Sequence, residues 1–196
     1  MKKDLSSLLV DLSVIHQDFK LIHAREIEVA EWVRWKCRYG CKAYGKHLGC
    51  PPYTPAVEET RKLVQCYERA IVVRVEAIPN RSVPPSSIHH HLWDSIKHLH
   101  DTIFALEREA FLAGYYKAFA LGGLPCSYCD DCLPERSDVR LDHATKRFCL
   151  HQDRMRPSME ACGIDAFATV RRAGYEVEVL TSPEQPVILF GLVLLE

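Results

Sequence analysis

Long apolar runs are missing from this 196-residue chain. Nowhere do about 20 uncharged apolar residues follow one another, which excludes a helical membrane span. An excess of either charge is also missing: 25 Lys and Arg stand against 26 Asp and Glu. Dedicated nucleic-acid binders carry a basic surplus, so no nucleic-acid partner is expected. There is no phosphate-cradling glycine loop, no G-x-S-x-G nucleophile elbow and no H-E-x-x-H zinc-protease signature, and the familiar nucleotide and hydrolase chemistries lose their usual sequence support. Repeats and low-complexity tracts are lacking. The N-terminal apolar stretch is broken by Asp11, His16 and Asp18 and shows no small-residue cleavage site, so it is expected to be mature structure and the protein cytoplasmic.

The chain is rich in cysteine, with nine. An odd count in a chain of this size does not fit a secreted disulfide framework, and thiolate ligation of metal explains the density better. With 47% hydrophobic residues there is apolar mass for a core. The length suits a single metal-binding domain over residues 1–196, with a cysteine-rich insertion at about 122–157.

The pattern of elements predicts an α/β or α+β fold, with one mixed sheet able to pair antiparallel and flanked by helices. Residues 5–17 carry a helical apolar stripe, and 26–36 alternate as a strand does. Thr54 and Pro55 open a helix that ends near Cys66, where the thiol reads as apolar core. Residues 70–77 read as a buried strand. A long helix runs from Ser86 or Ser87 to about Ala113 and stops at Gly114. Residues 115–123 read as a strand and 156–174 as a helix, and 175–180 with 186–196 as a closing antiparallel pair.

Cys126, Cys129 and Cys132 form C-x2-C-x2-C, and Cys149 follows after sixteen residues. Three closely spaced thiolates plus one remote thiolate are the ligand set of a 4Fe-4S cube. Four thiolates also suit zinc, although zinc sites more often use two separated pairs, and zinc stays open as the alternative. Gly122 and Gly123 upstream allow close backbone approach. Five acids at 130, 131, 135, 138 and 142 would lower a cluster's potential, and Arg154 and Arg156 could balance the loop.

Cys37, Cys41 and Cys50 form C-x3-C-x8-C followed by two prolines. They could hold a second cluster, or zinc with a fourth ligand such as His47. Arg34, Lys36, Arg38, Lys42 and Lys46 surround them with no acid from Arg34 to Val57. That field is expected to depress the thiol pKa values and to dock an anion or a protein partner, and it leaves a cysteine-thiol enzyme as a further reading. His91, Asp94 and His98 share a helical spacing, more as a polar face than a metal site. Cys162 reads as packed, with a reactive thiol at a helix start as the alternative.

Three stretches, WVRWKCRYGCKAYGKHLGCPPYTPAVEETRK, GGLPCSYCDDC and CLHQDRMRPSMEACGIDAFATVRRAG, together resemble a family of cysteine-rich predicted metal-binding proteins, domain of unknown function 2284. The resemblance runs from about residue 5 to the last strand. It implies a metal, iron–sulfur or another, held through Cys37, Cys41 and Cys50 and through Cys126, Cys129, Cys132 and Cys149. It implies no reaction. The combined expectation is a 4Fe-4S protein in electron transfer or a redox accessory role, with a protein redox partner. The alternatives are a zinc-stabilised binding module and a thiol enzyme.

Overall fold

The computed structural model describes residues 2–136, 147–182 and 185–196. Its centre is a four-stranded antiparallel sheet in the order β1-β2-β4-β3. The strands are β1 (Phe19–His23), β2 (Arg69–Glu76), β3 (Phe119–Leu121) and β4 (Ile188–Leu194). The described helices are α1 (Leu5–Ile15), α2 (Glu31–Gly40), α3 (Val57–Val64), α4 (Ile88–His91), α5 (Trp93–Leu112), α6 (Leu133–Arg136) and α7 (Ala166–Arg172). An antiparallel sheet with helices packed on it is an α+β fold.

Both faces of the sheet are buried, which explains why β2 and β4 read as nearly unbroken apolar runs. Successive side chains point to opposite faces. Ile71, Val73 and Val75 of β2, with Leu189 and Val193 of β4, meet Leu8 and Leu12 of α1 and Ile96, Leu99, Ile103 and Leu106 of α5. Ala70 and Val72, with Phe190, Leu192 and Leu194, form the other face with Val64, Met159, Cys162, Ile164 and Val170. Gly191 is required where β4 passes under α5: a Cβ there would lie 2.7 Å from Cγ2 of Ile103.

Several sequence expectations need correction. Residues 26–36 are not a strand. Ala24–Glu26 form a 3-10 turn and α2 begins at Glu31, because Val33 alone of its residues is buried while the alternation falls on the exposed Trp32 and Trp35. The α3 helix begins at Val57, two residues beyond the expected start. Thr54 does not cap it; its hydroxyl donates to the Ala161 carbonyl, 2.8 Å away. The long helix is split at Leu92 (φ −112°, ψ 14°) into α4 and α5. The 156–174 helix is interrupted by Gly163 at φ +82°, so a 3-10 turn at Glu160–Cys162 precedes α7. Residues 175–180 do not join the sheet; β4 pairs with β2 and β3 on its two sides, which leaves no edge for a closing hairpin.

Candidate metal centre

The two cysteine groups are far apart along the chain and meet in the fold. Cys37 sits on the last turn of α2, Cys41 caps its end, and Cys50 lies in the turn that follows, ahead of a cis Pro51–Pro52 bond. Cys126, Cys129 and Cys132 occupy the loop between β3 and α6, and Cys149 lies on the other side of residues 137–146, which are outside the described residues. The expected acids Asp138 and Asp142 fall in that undescribed stretch.

The loops are locked together at several points. A Cβ on Gly49 would stand 3.9 Å from the Cβ of Cys126. The Leu48 amide donates to Cys132 Sγ at 3.5 Å, and Lys46 pairs with Glu135 at 3.5 Å. The strand end is fixed from the far side. Gly122 bridges to Ser158, its N–H donating to the Pro157 carbonyl at 2.8 Å, and a Cβ on Gly123 would meet the Phe190 carbonyl oxygen at 2.6 Å.

All nine cysteines are free thiols. In the second group, Cys126 interacts electrostatically with Cys132, Cys149 and Cys129. Backbone amides point at these sulfurs: Leu48 and Leu133 at Cys132, Tyr128 at Cys126, and His151 at Cys149 at 3.4 Å. Burial pushes the Cys126 thiol up to about 12, with the Tyr128 amide opposing and the neighbouring sulfurs adding to the rise. In the first group, Cys50 is buried and within electrostatic reach of Cys41, Cys37, Cys126 and Cys132, so it faces both groups. Among the described residues, no three His, Cys, Asp or Glu side chains are arranged to hold a metal ion as they stand.

The basic field does not depress the Cys37 or Cys50 thiols as expected. Burial raises Cys37 and Cys50, and nearby sulfurs add to it; Arg34 pulls Cys37 the other way and loses. Arg34 is also not a free docking cation. Its guanidinium donates to Thr54 Oγ1, to the Pro55 carbonyl and to the Ala161 carbonyl at 2.6–3.1 Å, bracing α2 against the 160–162 turn. Lys36, Arg38 and Lys42 remain exposed, Lys36 lying over Trp32 at 5.1 Å.

His47 is buried among other imidazoles. Its ring meets His89 at 5.0 Å, and His89 Nε2 lies 3.0 Å from Ser127 Oγ. His91 is held by the Val83 carbonyl at 2.6 Å, across the helix break from the exposed Asp94 and His98, so the three do not form a site. Arg156 turns away from the cysteine loop to Glu107, and Arg154 lies 3.5 Å from Asp153. Cys162 is packed in the core and pushed up to about 12 by burial, whereas Cys66 is exposed just beyond α3 and is no core thiol.

One feature escaped the sequence reading. A cavity of about 900 Å³ opens beside the first group, lined by Cys37, Cys41, Cys50 and Glu160 among others. The only hint was an acid amid the small and apolar residues of SMEACG.

A family model described as predicted metal-binding protein (DUF2284) matches residues 20–195. The chain belongs to this family. No match was found among curated proteins or among solved structures. Membership makes this a predicted metal-binding protein. No helix of the described residues is long and apolar enough to cross a membrane.

Proposed function

We propose that this protein is an iron–sulfur protein in which Cys126, Cys129, Cys132 and Cys149 hold a 4Fe-4S cluster, with a one-electron transfer or redox accessory role. One observation carries the reading: the four thiols share one neighbourhood in which backbone amides already face three of the sulfurs. Amide-to-sulfur hydrogen bonds stabilise anionic metal-bound sulfur and tune cluster potential. The donor set of four thiolates fits such a cluster, which when bound supplies single-electron exchange. A lone zinc needs its sulfurs about 2.3 Å from one point. The same four thiolates would serve a structural zinc, and acid-labile sulfide separates the two centres.

Cys37, Cys41 and Cys50 hold a second metal–thiolate centre in this reading, and the exposed Lys36, Arg38, Lys42 and Lys46 form the rim on which an acidic redox protein docks. Nine unpaired thiols suit a reducing cytoplasm. The test is metal and acid-labile sulfide analysis of protein purified without air. Broad absorbance near ~400 nm with about four irons and matching sulfide per cluster is the expected result. Stoichiometric zinc without sulfide overturns it and assigns the same four sulfurs to a structural zinc.

A further inference from the structure

The turn from Cys126 to Cys129 lies outside helix and strand, yet both residues between its thiols are gripped by side chains of other elements. Ser127 is buried, and its Oγ lies 3.0 Å from Nε2 of His89 on α4. Tyr128 Oη donates to Oδ1 of Asp101 on α5 at 2.8 Å. The two grips come from either side of the helix break at Leu92. The Tyr128 ring stands edge-on to His100 of α5, with 6.1 Å between centroids, and 5.2 Å from the ring of His151. His151 follows Cys149 by two residues, and its amide donates to Cys149 Sγ at 3.4 Å. One side chain therefore joins α5, the turn that carries Cys126 and Cys129, and the segment that carries Cys149. Spacing two thiols by three residues needs no hydroxyl between them. Ordering an irregular loop costs backbone entropy. Contacts that order it before the metal arrives remove that cost from metal binding.

We propose that Tyr128, tied to Asp101, is a positioning residue for the second-group metal centre: it fixes the Cys126–Cys129 turn against the Cys149 segment and so slows metal loss. The inference rests on the assignment of these four thiols as ligands. It adds a residue that acts through the loop and not by ligation.

Iron release from protein loaded without air, into excess chelator and followed near ~400 nm, tests it. The relevant phase is the one that Cys129→Ser lacks. Tyr128→Phe keeps the ring and removes the donor, and Asp101→Ala removes the acceptor. Each is expected to release iron at least about five-fold faster, as loss of one hydrogen bond would give. Asp101→Asn keeps an acceptor oxygen and stays within about two-fold of the native rate. The Tyr128→Phe/Asp101→Ala double variant is no faster than either single one, because each removes the same bond. The urea midpoint of the metal-free chain stays put in all of them, where a merely structural contact would lower it. A native rate in Tyr128→Phe, no rescue by Asp101→Asn, additive effects in the double variant, or a matching loss of metal-free stability overturns the proposal. Should Tyr128→Phe fail to fold, Asp101→Ala against Asp101→Asn decides alone. A native chain holding zinc without sulfide refutes the cluster reading only, and zinc release then reads the same contact. A chain that holds no metal refutes both.

Discussion

Arg156 and Glu107 form a two-point ion pair that ties the stretch after the cysteine loop to the middle of α5. Arg156 Nε lies 2.8 Å from Oε2 of Glu107, its Nη2 meets Oε1, and both side chains are largely buried. Oε2 also accepts the Ala120 amide at 2.6 Å, so one carboxylate joins helix, strand and loop. The Arg156 guanidinium additionally covers Phe104 at 5.2 Å. Breaking a buried pair leaves an uncompensated charge at a cost of about 3–5 kcal/mol. Arg156→Met is expected to lower the free energy of urea unfolding by about that amount. A loss under about 1 kcal/mol would mean that water reaches Glu107.

His100 makes the fold acid-sensitive. It lies on the buried face of α5, against Gly122, and burial lowers its pKa to about 4. Neither ring nitrogen has a partner of good geometry among the described residues. Between about pH 6.5 and pH 4 the unfolded chain binds a proton that the native protein refuses, so stability falls as pH falls and is unaffected well above that window. The full effect is about 3 kcal/mol. Urea titrations across that range should show a shallower pH slope in His100→Leu than in the native chain. Part of the slope should persist, because His89 is also lowered to about 4 by burial.

In the proposed assignment the cysteines divide by role. Cys129→Ser is expected to abolish the iron and sulfide of the second group and to destabilise the chain, whereas Cys66→Ala leaves both unchanged. Equal metal loss in the two variants, read by metal analysis, would refute the ligand assignment.

Alkylation separates the two thiols outside the groups. Iodoacetamide at about pH 8 should modify exposed Cys66 quickly and spare Cys162, buried with a raised pKa. Peptide mapping showing Cys162 modified first would mean that the Glu160–Cys162 turn opens readily.

Gly163 packs the Glu160–Cys162 turn against α3. Its φ of +82° suits glycine, and a Cβ would lie 2.7 Å from Val57 Cγ2. Gly163→Ala should destabilise by more than about 1 kcal/mol, since an L side chain is strained there even before the contact. An unchanged melting temperature would contradict the turn geometry.

Where the sequence pattern was strong, it foretold the structure. The stripe at Leu5–Ile15 and the apolar runs of β2 and β4 follow directly from burial on one or two faces. The irregular backbone around Cys126–Cys132 was legible because prolines, glycines and closely spaced thiols leave little room for a regular ladder. Failures came where tertiary contacts outweighed local pattern. Trp32 looked like an inward-facing strand residue but lines an open cavity. YEVEVL alternates like a strand, yet both sides of β4 are already taken. Basic residues around Cys37 suggested acidic thiols, but burial is a larger effect than a solvated charge. Glu160 was invisible because an unpaired oxygen is a property of three-dimensional surroundings, not of spacing.

Cys50 stands between the two sulfur sets, close enough to sense Cys126 and Cys132 as well as Cys37 and Cys41. Any negative charge gained on one side is therefore felt on the other through a poorly screening interior. The two halves of the thiol-lined end are coupled electrostatically, so ionising a thiol on either side makes ionising one on the other harder.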